Sequence, residues 1–65
     1  MEIEAMVIEA LPNLQYKVEY QGKEYVCYTS GKMKKAKIKI LVGDRVRVVL
    51  DPYGGKATNR ITWRL

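Results

Sequence analysis

Gln15-Tyr16-Lys17-Val18-Glu19-Tyr20-Gln21-Gly22-Lys23-Glu24-Tyr25-Val26-Cys27-Tyr28-Thr29 contains the cleanest alternation in the chain. Tyr16, Val18 and Tyr20 share one face of an extended segment and Gln15, Lys17 and Glu19 the other, the period of a strand half-buried against a core. Gln21-Gly22 interrupts the run, and glycine supplies the positive φ that a tight hairpin turn requires. Residues 23–29 return as a second strand, with Tyr25, Cys27 and Thr29 inward and Glu24, Val26 and Tyr28 outward. An aromatic and β-branched hairpin of this kind commits the chain to an all-β fold.

The flanking segments extend the sheet. Upstream, residues 3–10 read as a first strand whose alternation is blurred at Met6-Val7-Ile8, as in a strand partly covered on both sides. Leu11-Pro12-Asn13 ends it, because proline lacks a ladder donor and asparagine favours turns. Downstream, Met33 to Lys37 lacks alternation and suits a single helical turn, after which Ile38, Ile40, Leu41 and Val42 return the chain to the core. Gly43-Asp44 is a turn signal. Residues 45–51 form a fourth strand, Val46, Val48 and Leu50 in, Arg45, Arg47 and Val49 out. Residues 52–59 are a loop by composition, and residues 60–65 close the fold with Ile61 and Trp63 in and Arg60, Thr62 and Arg64 out. Five short strands must deal with their edges, and a small barrel does so. The spacing predicts a five-stranded OB-fold barrel with a short helical turn between strands 3 and 4. An SH3-like barrel is the alternative, and the long strand 3–4 connection favours the OB-fold.

A chain of 65 residues makes a single domain with a thin core, burying only about 60% of its unfolded surface. With 48% hydrophobic residues and no low-complexity tract, it is expected to pack rather than remain disordered. No apolar run approaches the ~18 residues of a membrane span, and Met1-Glu2-Ile3-Glu4 has no basic signal-peptide start. A soluble, cytoplasmic monomer with no membrane association is the expectation. Cys27 is the only cysteine, so no intramolecular disulfide framework exists, and it reads as a small core residue. The absence of histidine removes the commonest general base, the Ser-His and Cys-His pairs and almost every zinc site. No catalytic residue, metal or cofactor is expected.

Charge supplies the functional signal. Residues 1–31 carry a net −3 and residues 32–65 a net +8. Ser30-Gly31-Lys32-Met33-Lys34-Lys35-Ala36-Lys37-Ile38-Lys39-Ile40 places five lysines in eight positions. Such a run repels itself and gains by meeting a polyanion; lysine and arginine supply most of the sequence-independent affinity for nucleic acid. Arg45, Arg47, Arg60 and Arg64 fall on the outward faces of the last two strands, all pointing the same way in the predicted register. With Lys32, Lys34, Lys35, Lys37 and Lys39 they form one continuous basic surface. OB-folds pair such a surface with exposed aromatics on which bases stack; Tyr28 and Tyr53 are the candidates. The blander readings are solvated arginines whose stems cover apolar surface, and a Tyr53 that plugs the barrel end. Tyr16, Tyr20, Tyr25 and Trp63 read as core. Met33 is either a hydrophobic foot under the basic turn or a contact to a nucleobase.

Glu9-Ala10-Leu11-Pro12-Asn13, Tyr16-Lys17-Val18-Glu19, Ser30-Gly31-Lys32-Met33-Lys34-Lys35, Ile38-Lys39-Ile40-Leu41-Val42-Gly43-Asp44-Arg45-Val46, Pro52-Tyr53 and Arg60-Ile61-Thr62-Trp63-Arg64 together resemble bacterial translation initiation factor 1. The match covers nearly the whole chain in order. The resemblance implies an S1-type OB-fold that binds the small ribosomal subunit in its aminoacyl (A) site. There the family sits against ribosomal RNA beside a ribosomal protein, blocks premature tRNA entry and works with the other initiation factors. It also implies rRNA contacts at Lys32, Met33, Lys34, Lys35, Tyr53, Arg60 and Arg64. Lys37, Lys39, Arg45 and Arg47 join them on the charge reading alone. This chain has lysine where the family's basic turn usually has arginine, exchanging planar bidentate phosphate recognition for point charge. Its loop before the last strand is about one residue longer. A general single-stranded RNA chaperone is the alternative, disfavoured because Tyr16 and Tyr20 face inward; a barrel meeting an acidic protein partner is a third reading.

Overall fold

The computed structural model describes residues 1–50 and 59–65, so the predicted 52–59 loop, Tyr53 included, lies outside the described residues except for Asn59. Among the described residues there are five strands, β1 (Glu2–Leu11), β2 (Gln15–Tyr20), β3 (Lys23–Thr29), β4 (Arg45–Val49) and β5 (Arg60–Arg64), and one helix, α1 (Gly31–Ala36). They close a barrel in the order β1-β2-β3-β5-β4, with β4 returning to β1 and a parallel pair between β3 and β5. This is the OB-fold that the strand spacing predicts.

Closure depends on β1 serving two partners. Its first half pairs with β4, from Glu2↔Val49 to Met6↔Arg45, and its second half with β2, from Met6↔Glu19 to Leu11↔Gln15. The register with β2 shifts between Val7 and Glu9. One extra residue in a strand bends it and reverses its alternation. The blur at Met6-Val7-Ile8 is therefore a bulge and not two-sided cover: Ile3, Ala5 and Val7 are buried whereas Met6 is exposed. Gln21 (φ 50°) and Gly22 (φ 78°) then turn β2 into β3 with positive φ at both positions, matching the twist of the flanking strands.

Ile3, Ala5, Val7, Val18, Cys27, Met33, Ile40, Val46, Val48, Leu50 and Ile61 make the core, and Tyr16, Tyr20 and Tyr25 pack against its rim. The inward assignments of β2, β3 and β4 hold. Two expectations fail. Leu41 and Val42 are exposed, because the turn closes on itself: the Asp44 carboxylate accepts from the Leu41 N–H at 2.8 Å, and the Asp44 N–H donates to the Leu41 carbonyl at 3.0 Å. Only Ile40 of that segment is buried, with Ile38 packed beside it. Trp63, read as core, is 44% exposed. A register shift between Arg47 and Val48 pairs Val48 with Ile61 but Arg47 with Trp63, leaving Thr62 as the extra residue. Ile61 stays in the core and Trp63 moves to the outer face.

The basic segment folds as more than one helical turn. Ser30 caps it, its Oγ accepting from the Met33 N–H at 3.2 Å. Lys37 (φ 56°, ψ 37°) ends it in the left-handed region, where its N–H donates to the Lys34 carbonyl at 3.2 Å. Six residues form too short a helix to persist alone. Met33, fully buried, ties it to the barrel.

Candidate nucleic-acid interface

Four neighbouring strands supply the first part of the site. On the outer face the register aligns Glu2, Val49, Arg60 and Tyr28 across β1, β4, β5 and β3, and Glu4, Arg47 and Trp63 in the adjacent row. Lys32, on the first turn of α1, reaches over the indole with Nζ 5.7 Å from the ring centroid. The result is a groove of about 450 Å³ lined by Lys32, Arg47, Arg60 and Trp63, with Glu2, Ser30 and Thr62 completing its walls. Arg47 Nε lies 3.6 Å from Glu2 Oε1, so part of its charge is already matched. Thr62 Oγ1 donates to the Arg47 carbonyl at 3.3 Å, tying the bulge to β4.

A second, smaller groove of about 270 Å³ lies on another side of the helix, where Lys34 and Lys37 meet Leu14, Tyr16, Thr29, Met33 and Ile38. Lys35 and Lys39 are exposed. The lysine run thus flanks α1 on two sides and is not one strip.

The predicted continuous arginine face is not formed. Arg45 lines a recess with Glu4, Met6, Glu19 and Tyr20, where two carboxylates compete with any approaching phosphate. Arg64 follows the bulge onto the other side of the pleat, and its Nη1 donates to the Lys39 carbonyl at 3.1 Å. That exposed bond braces the segment after α1 and engages one end of the guanidinium. Met33 is withdrawn as a nucleobase contact, because none of its surface is exposed; it is the hydrophobic foot. Tyr28 is half-buried beside Arg60 in the parallel register and keeps its outward position. Tyr53 lies outside the described residues.

Comparison with known proteins places this geometry. The family model for translation initiation factor 1A / IF-1 matches residues 1–65, the full chain. The chain belongs to that family. Translation initiation factor IF-1 of Rhodopseudomonas palustris is 50% identical over 54 residues, covering 82% of this chain and 59% of the relative. That of Nitrobacter hamburgensis is 48% identical over 54 residues, covering 82% of this chain and 58% of the relative. The chain therefore spans less than two thirds of the length of these relatives. Among solved structures, the solution structure of the same initiation factor from the Wolbachia endosymbiont of Brugia malayi superposes with a TM-score of 0.82 at 37% identity. It covers 100% of this chain and 77% of that one. YjeQ from Thermotoga maritima also matches, with a TM-score of 0.76 at 27% identity over 100% of this chain and 23% of that one.

Membership of the initiation-factor family agrees with the resemblance carried by the Ser30–Lys35 and Ile38–Val46 motifs. Two groove residues are not legible in the sequence as site residues. Strict alternation assigns Trp63 inward because it has no place for a bulge. Glu2 is an acid in the acidic half of the chain, and only the β1–β4 pairing brings it beside the cations of the second half.

Proposed function

We propose that this protein acts in translation initiation by binding the small ribosomal subunit at its aminoacyl site through rRNA contacts. In that position it blocks premature tRNA entry, beside a ribosomal protein and together with the other initiation factors. It acts in the cytoplasm, as a monomer and without catalysis. Family membership supports the role, and one observation supports the mode: Lys32, Arg47 and Arg60 converge around an exposed indole on an OB-fold face. Cations that follow a backbone, together with an aromatic on which a base stacks, are how this fold holds unpaired nucleic acid. The helix adds Lys34 and Lys35 on a support pinned by Ser30 and Met33, so their charge is presented without further ordering.

Among the described residues, Lys32, Lys34, Lys35, Lys37, Lys39 and Arg60 form no ion pair. If about six cations engage phosphates, log Kobs falls with log salt at a slope on the order of −4 to −5. The test is cosedimentation with isolated small ribosomal subunits across a salt series, comparing wild type with a Lys34→Glu, Lys35→Glu variant. Saturable one-to-one binding that A-site ligands compete, and that the variant loses, is expected. A flat salt dependence, or equal and unsaturable binding to any single-stranded RNA, overturns the proposal.

A further inference from the structure

The groove over Trp63 contains a carboxylate, and a surface built only to attract phosphate has no use for one. Glu2 sits at its wall with its side chain 60% exposed. Among the described residues its one ion-pair contact is the 3.6 Å approach of Arg47 Nε to Oε1, which leaves most of its lone pairs free of them. The hydroxyls nearby are oriented by the fold: Ser30 Oγ accepts from the Met33 N–H, and the Thr62 hydroxyl donates to the Arg47 carbonyl. Each offers a ligand a single oxygen, whereas Glu2, the one carboxylate among the described lining residues, offers two oxygens side by side.

We propose that this groove holds one unpaired guanine nucleotide, stacked on Trp63 and read along its base edge by the Glu2 carboxylate. Guanine carries two adjacent donors on one edge, the N1–H and the N2 amino group, and a carboxylate accepts both in parallel. Adenine and cytosine offer one amino group there and uracil one imide N–H, so each engages a single oxygen. The stacking surface is the indole face that Lys32 now covers at 5.7 Å. A base entering there displaces the ammonium group, which stays close enough to meet the nucleotide's phosphate. Arg60, on the same outer face, supplies a second phosphate partner. The volume, about 450 Å³, lies at the lower end of ligand-sized clefts, roughly 300–1,000 Å³.

This inference rests on the RNA-binding reading and specifies one subsite of it. The competing explanation is that Glu2 merely holds Arg47 in place, and the two diverge under substitution. Trp63 is the only tryptophan, so its fluorescence reports on this groove alone. The intact chain and its Glu2→Gln variant are titrated with GMP, AMP, CMP and UMP, and with short single-stranded oligoribonucleotides carrying one guanine in an adenine background or none. Circular dichroism checks that the exposed substitution leaves the fold unchanged. Expected are quenching by the guanine ligands with about tenfold preference over adenine, and loss of that preference in Glu2→Gln while adenine and uracil affinities stay within about twofold. An equal loss for every base assigns Glu2 to positioning Arg47 and overturns the inference. Quenching by GMP that the guanine oligonucleotide cannot compete makes this a free-nucleotide site and overturns the RNA subsite. If subunit cosedimentation persists while Trp63 fluorescence stays unchanged by any ligand, the subsite is refuted and the proposed function survives. Failure to bind subunits or RNA at all refutes both.

Discussion

Replacing Met33 by alanine tests whether the basic helix depends on the core beneath it. The side chain is fully buried at the centre of a six-residue helix, between the Ser30 cap and the left-handed Lys37. Truncating a buried methionine to alanine costs about 2–5 kcal/mol, from lost transfer free energy and the cavity left behind. A chain of this size has a total stability of about 3–10 kcal/mol, so the variant loses a large fraction of it. The loss also has a local consequence. Without its anchor a helix this short does not persist, and Lys32, Lys34 and Lys35 no longer hold fixed positions. Met33→Leu keeps the volume and costs less than about 1.5 kcal/mol. Urea unfolding, followed by far-ultraviolet circular dichroism and Trp63 fluorescence, gives the stabilities, and subunit cosedimentation gives binding. The expected result is a large stability loss with weakened binding in Met33→Ala, and near-native values of both in Met33→Leu. A Met33→Ala stability within about 0.5 kcal/mol of wild type refutes the anchoring argument. Binding lost in Met33→Leu at full stability refutes the buried placement, since only a side chain touching RNA responds in that way.

Three further outcomes follow from particular contacts. Ser30→Ala removes the oxygen that accepts from the Met33 N–H, and loss of such a cap lowers unfolding stability by about 1 kcal/mol in the same denaturation assay. Thr29 is buried with its Oγ1 lacking a hydrogen-bond partner among the described residues, so Thr29→Val, close in shape and without that desolvation penalty, is neutral or stabilising by up to about 1 kcal/mol; a loss of more than about 1 kcal/mol by thermal melting contradicts this. Burial pushes the Cys27 thiol up from 9.0 to about 12. The raised value means that the folded state holds this proton more tightly than the unfolded state. The Cys27 contribution to stability is thus complete below about pH 9 and lost as pH rises towards 12. Native protein at pH 8 is accordingly unreactive towards a thiol reagent until denaturant is added, and prompt labelling of the folded chain contradicts the burial.

The β2–β3 hairpin, the inward set of β4 and the barrel class were legible because each rests on local chemistry. Alternation places Val18, Cys27, Val46 and Val48 on the core face, and Gln21-Gly22 turns the chain without reference to anything distant. The helical turn in the basic segment was legible as a loss of alternation, although the helix extends further than one turn and starts at a Ser30 cap that the pattern did not mark. Errors arose at Leu41-Val42, where the Asp44 turn closes on itself, and where a strand departs from strict alternation. Each bulge adds one residue, and the demand for it comes from the partner strand: β1 must bend to serve both β2 and β4, and β5 must match β4 while Ile61 stays in the core. No pattern within Met6-Val7-Ile8 or Ile61-Thr62-Trp63 specifies which residue is the extra one.

The charge surface divides along the same line. The sequence by itself determined that the cations concentrate in the second half, that no histidine chemistry is available, and that the strands close as an OB-fold barrel. Only the tertiary structure decided which cations act together. Lys32, Arg47 and Arg60 line one groove with Trp63, Arg45 lines a separate recess with Glu4 and Glu19, and Arg64 is tied to the Lys39 carbonyl. The physical reason is range. Hydrophobic period and turn chemistry act between residues a few positions apart, whereas the grouping of charges on a closed barrel depends on register between strands distant in sequence, and a shift of one residue moves a side chain to the opposite face.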